Sequence, residues 1–117
     1  VFENIHKIAS KNTEIKIMLY AKNSYKNFLL KHTNYRFEAQ KNCPIVYTVD
    51  NNDLNKLFKR KFKIINQYQD FIFPYKIMAY KKNQYKKIDH FNVMPKKTFD
   101  VLKKNIGEHL MLELRKI

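Results

Sequence analysis

Ile15, Ile17, Leu19 and Ala21 alternate with Lys16, Met18 and Tyr20. A period of two puts the first set on one side of an extended chain, so 14–21 reads as a β-strand with one apolar face. Upstream, Phe2, Ile5 and Ile8 recur every three residues, which predicts an N-terminal arm or short helix within 1–13, with Lys7 and Lys11 on a basic side. Ser24 suits a helix N-cap. Tyr25, Phe28, Leu29 and His32 then repeat at helical spacing to about Phe37, and Cys43-Pro44 closes that element.

The middle of the chain is more mixed. Ile45, Tyr47 and Val49 alternate over a short extended piece, and the polar run Asp50 to Asn55 reads as a loop. From Leu57 to Tyr68 the alternation resumes, with Phe58, Arg60, Phe62 and Ile64 on one side and Lys59, Lys61 and Lys63 on the other. Tyr68 to Pro74 reads as a hairpin tip and Tyr75 to Phe91 as the returning strand, with a bulge absorbing the polar interruption at Lys81 to Gln84. Pro95 opens a second helix that carries Phe99, Leu102 and Ile106, and Gly107 stands where a C′ glycine would end it. Leu110, Leu112 and Leu114 alternate with Met111, Glu113 and Arg115 as a last strand.

This order predicts a single α+β domain over 14–117 of the ferredoxin-like split βαβ type. Its βαββαβ chain would form a four-stranded antiparallel sheet with two helices on one face and an extended β-hairpin.

Composition adds the partner. The 117 residues suffice for one domain and one core, and 44% are hydrophobic. The formal charge is +14, with 24 Lys+Arg against 10 Asp+Glu. Such an excess repels itself and calls for an anionic partner, nucleic acid or anionic membrane. Arg appears only at Arg36, Arg60 and Arg115. Guanine edges favour the forked guanidinium and phosphates accept the point charge of Lys, so backbone contacts are expected to outweigh base reading. AT-rich codons shared by Lys, Asn, Ile, Tyr and Phe account for part of that preference. No run has the length of a transmembrane helix, so no membrane insertion is expected, and residues 1–8 do not read as a signal peptide.

Three basic groups are candidate RNA contacts. The first is Lys56, Lys59, Arg60, Lys61 and Lys63, interleaved with Phe58 and Phe62. The second is Lys76, Lys81, Lys82 and Lys86, followed by Lys87, expected across a strand pair from the first. Lys96 and Lys97 begin the second helix, whose N-terminal dipole favours a phosphate. Each group also has a plainer account, as a solvated strand face, a lysine-guarded edge or an ordinary helix surface.

Catalytic signals are few. Gly107 is the lone glycine, which excludes phosphate-cradling loops and nucleophile elbows. His6, His32, His90 and His109 lack ligand spacing, and Cys43 stands alone. In a strand, Asp89 and His90 would face opposite sides and could not cooperate. No enzyme activity, cofactor, metal or small-molecule substrate is expected.

The run Lys87-Ile88-Asp89-His90-Phe91, then Pro95-Lys96-Lys97-Thr98-Phe99-Asp100-Val101-Leu102, resembles the end of the ribosomal small-subunit protein-ten family. The close, Asn105 to Leu114, is most similar to its mitochondrial members, and Cys43-Pro44-Ile45 stands where the family has Gly-Pro-Ile. The resemblance extends over roughly 14–115 and is most specific in the final third. Departures are Cys43 for Gly, Val46 for a second Pro, and Asn83-Gln84-Tyr85 near a missing Arg-Thr-His. The resemblance implies a structural constituent of a mitochondrial small ribosomal subunit, binding ribosomal RNA and other ribosomal proteins in the subunit head. A large-subunit mitochondrial ribosomal protein of similar pattern, and a free-standing basic RNA- or protein-binding module, are the alternatives.

Overall fold

A computed structural model describes residues 1–34 and 47–117. The end of the first predicted helix toward Phe37, the Cys43-Pro44 break, Ile45 and Arg36 lie outside the described residues.

The strand with one apolar face is β1, Glu14–Ala21, and its burial alternates as the sequence does. Before it, α1 spans Phe2–Ile8. After it, the Ser24 hydroxyl accepts from the Asn27 N–H and starts α2, Tyr25–His32. β2 is only Thr48–Val49, and α3 follows at Asn51–Phe58. β3 spans Phe62–Asp70, α4 Ile77–Lys81 and α5 Asp89–Asn92. α6, Lys96–Ile106, then leads into β4, His109–Lys116.

The fold is α+β, with one four-stranded mixed, curled sheet of order β2-β1-β4-β3 and several helices. β1 is parallel to β2 and antiparallel to β4, and β3 is antiparallel to β4. The expected all-antiparallel sheet is therefore corrected. The β1–β4 pair is of the kind a split βαβ would have, but β3 lies beside β4 at the far edge of the sheet.

Two local errors explain the difference. Asp50 to Asn55 is the first part of α3, not a loop. The Asp50 carboxylate accepts from the Asp53 N–H at 3.0 Å and the Asp53 carboxylate from the Asp50 N–H at 3.0 Å, a reciprocal cap that starts the helix. Leu54 and Phe58 then lie one turn apart and are buried. Leu57 and Phe58 thus belong to a helix, and the strand begins only at Phe62. The second error is the returning strand. From 71 to 92 the chain has two short helices and a single antiparallel bridge, Tyr75 to Lys87, so no extended hairpin forms. Pro74 offers no N–H, and the polar run Lys81 to Gln84 breaks the alternation that a strand needs to keep one face apolar.

One face of the sheet is the core. Ala21, Leu110, Leu112, Leu114 and Phe62 meet Leu54 and Phe58 of α3, with Phe2 and Ile5 of α1 packed alongside. Leu112 and Leu114 are almost wholly enclosed, and each such leucine contributes roughly 2 kcal/mol by leaving water. In β3 the register slips between Ile64 and Asn66, a bulge at Ile65. Past it, Gln67 and Gln69 take the core-face positions, opposite Leu112 and Leu110. Gln69 Nε2 donates to the carbonyls of Asn23 (3.0 Å) and Gly107 (2.8 Å), tying three elements together at the sheet's end.

Candidate nucleic-acid interface

The eleven basic residues singled out from sequence fall into two groups along the chain, one around the start of β3 and one after its end. Lys56 is exposed on α3, Lys59 caps that helix, and Arg60 makes the turn into β3 with φ of 68°. Lys61 pairs with Glu3 of α1. Lys63 stands exposed on β3, opposite Arg115. This group lies where β4 ends, because the Ile117 N–H donates to the Lys61 carbonyl at 3.0 Å.

Lys76, Lys81, Lys82, Lys86, Lys96 and Lys97 all follow the other end of β3. Seven strand residues, 64–70, lie between Lys63 and the segment that carries the second group. They do not face each other across a strand pair. Lys76 precedes α4, donates its Nζ toward Asp89 at 3.4 Å, and gives its N–H to the Lys86 carbonyl at 2.8 Å. Lys81 ends α4 and Lys82 caps it. The segment holds its shape through rings: Tyr75, Tyr80 and Tyr85 pack on one another and on Phe73 at centroid distances of 5.0 to 6.2 Å. The lysines thus ride on a small aromatic cluster rather than on a two-stranded arm.

At α6, Lys96 pairs with Asp100 at 3.2 Å and Lys103 with the same carboxylate at 3.4 Å. Lys96, first, and Lys103 hold the Asp100 carboxyl below its ordinary value. Lys97 is exposed and makes no ion pair among the described residues. Among the described residues, Lys56, Lys59, Arg60, Lys63, Lys82 and Lys86 also have no carboxylate partner.

No protein-family model, no curated protein and no solved structure matches the chain.

Asp89 and His90 lie in α5, not in a strand, and the Tyr25 hydroxyl is 3.4 Å from His90 Nε2. Among the described residues no cluster of three or more His, Cys, Asp or Glu forms, and no helix is long and apolar enough to cross a membrane. Cys43 lies outside the described residues. The most enclosed ion pair is Lys26 with Glu108 at 3.1 Å, just above the start of β4.

Sequence reading leaves the sheet face opposite the helices free for a partner but does not give its layout. That face carries Glu14, Lys16, Met18 and Tyr20 of β1, His109, Met111, Glu113 and Arg115 of β4, and Lys63, Asn66, Tyr68 and Asp70 of β3. Strand alternation gave the outward side of β1 and β4, but only the cross-strand register brings these side chains into rows.

Proposed function

We propose that the chain is an RNA-bound structural protein that holds ribosomal RNA and neighbouring ribosomal proteins in a mitochondrial-type ribosome. The observation that carries this reading is the set of cations without carboxylate partners: Lys56, Lys59, Arg60, Lys63, Lys82, Lys86 and Lys97. A protein of charge +14 that leaves these groups in water gains by exchanging the counterions of a phosphate backbone for them. Their division between the start of β3 and the segment that follows it suits two separate backbone segments.

The narrower assignment, a small-subunit protein of the protein-ten type, rests on the resemblance of residues 87–114. The ferredoxin-like arrangement that goes with it requires an antiparallel sheet, and the parallel β1–β2 pair and the β4–β3 neighbourhood depart from it. That departure favours a second reading, a basic RNA-binding module outside the ribosome, built on the same cations.

Sedimentation separates the two. A ribosomal constituent comigrates with one subunit after a salt wash, and the subunit identifies itself by its RNA. A free-standing module stays at the top of the gradient yet binds RNA. In either case the purified chain binds single-stranded RNA with a log–log salt slope of about −5 if all seven cations meet phosphate. Changing Lys82 and Lys86 together to Gln lowers the magnitude of that slope by about 1.4. An affinity that does not change between low and moderate salt would refute the proposal.

A further inference from the structure

On the outer face of the sheet, Tyr20 lies opposite His109 and Met18 opposite Met111, and Met111 in turn faces Tyr68. The Phe71 ring stacks on His109 at 4.8 Å with 11° between the planes, and Tyr20 meets His109 at 6.1 Å. The Lys26 ammonium stands 5.4 Å from the Tyr20 ring centroid. These rings are not core. Tyr20 is 37% exposed, Phe71 39%, Tyr68 47% and Met18 44%.

Phe71 is held there against its own preference. Its φ is 69°, in the left-handed region, which a bulky residue rarely adopts. The Asp70 carboxylate accepts from the Phe71 N–H at 2.8 Å, and the Phe71 carbonyl accepts from the Glu108 N–H at 2.8 Å. Glu108 is itself buried and paired with Lys26. Several interactions therefore fix a strained backbone whose result is a half-exposed ring stacked on His109, with Tyr20 tilted against the same imidazole. Strain kept in this way belongs with function more often than with packing. The tyrosine cluster differs, because its rings pack on one another, Tyr75 nearly parallel to Tyr80 and Tyr85 edge-on to both.

We propose that Tyr20, Phe71 and Tyr68 form a stacking surface for unpaired bases of RNA, an inference that rests on reading the chain as RNA-bound. Flat aromatic faces accept bases of any identity, and a duplex keeps its base faces hidden. The charge around the surface fits a strand crossing it. Lys63 and Arg115 border one end beside the Lys16–Glu14 pair (3.2 Å), and Lys26, itself paired with Glu108, borders the other, with Glu14, Glu113 and Asp70 as the carboxylates on the same face. The lysines around the start of β3 and after its end bind backbone of any kind. This face selects single strands.

The test titrates the protein with three probes: an oligouridine of about eight nucleotides, the same backbone with abasic sites, and an RNA duplex. Tyr20→Leu, Tyr68→Leu and Phe71→Leu are each expected to weaken oligouridine binding by about five- to a hundredfold, with the salt slope unchanged. Duplex and abasic binding stay as in the wild type. If Phe71→Leu loosens the fold, the exposed Tyr68→Leu and Tyr20→Leu decide. Equal affinity of wild type and variants for oligouridine, with salt-dependent binding kept, overturns the stacking surface and leaves the proposed function standing. A parallel loss on all three probes in a folded variant also overturns it. Absence of RNA binding by the wild-type chain overturns both.

Discussion

Gly107→Ala is expected to destabilise the protein, for a reason of space and not of backbone angle. Gly107 has φ of −60° and ψ of 147°, which any residue adopts. A methyl group built on it would stand 2.3 Å from the Lys103 carbonyl oxygen and 2.5 Å from the carbonyl carbon and oxygen of Asp70. All three are backbone atoms, so no side chain can swing away. Bringing the Asp70 contact to 3.4 Å means parting α6 from the end of β3 by about 0.9 Å. Two bonds span that seam: Gln69 Nε2 to the Gly107 carbonyl at 2.8 Å, and Glu108 N–H to the Phe71 carbonyl at 2.8 Å. Overpacking costs about 1–3 kcal/mol, and a weakened hydrogen bond about 1 kcal/mol. A stiffer unfolded chain returns about 0.4–1 kcal/mol. The net loss is about 2 kcal/mol, or about 8 °C in melting temperature for a chain of 117 residues. Paired urea and thermal melts of wild type and Gly107→Ala measure it. A variant as stable as the wild type would show that the close approach of α6 to β3 is not what this glycine serves.

Acid should loosen the start of α3 first. Asp50 is held down at about 2, chiefly by the Asp53 N–H and then by Lys22, whose Nζ lies 3.1 Å from Asp50 and 2.9 Å from Asp53. Asp53 is lowered too, mainly by Lys22. A carboxyl whose folded value lies below its ordinary one adds stability above the ordinary value and loses it as pH falls toward the folded value. Stability should therefore fall between about pH 4 and 2, and Asp50→Asn should flatten that limb in an acid titration followed by circular dichroism. Arg60→Gly should be stabilising by up to about 1 kcal/mol, since it removes a side chain from a left-handed turn. It should weaken RNA binding at the same time, so a denaturant melt and a filter-binding titration move in opposite directions.

Where local chemistry decides structure, the sequence was readable. The alternation of Ile15, Ile17 and Leu19 placed β1, Ser24 placed the start of α2, and Phe99, Leu102 and Ile106 before Gly107 placed α6. The failures came where two signals competed. Asp50 and Asp53 read as turn residues, although Asp at N-cap and at N3, ahead of Leu54, Leu57 and Phe58, is also a helix start. Between Pro74 and Asn92 the aromatic spacing follows neither a strand nor a long helix, and the rings pack on each other instead. The neighbours of β3 and the row of Tyr20, His109 and Phe71 depend on pairing between distant segments, which no local pattern encodes. The lysines were found because charge is visible one residue at a time. Their separation to the two ends of β3 was not.

β3 has a further consequence through its outer side. It is the last strand of the sheet, nine residues long, with Ile65 bulging midway and Lys63 beside the kink. A straight run of that length would invite a second copy to zip onto it. Here the kink spoils the ladder and like charge holds approaching copies apart. The surplus of lysine on which the proposed RNA binding rests thereby also guards a free molecule against fibrous self-association.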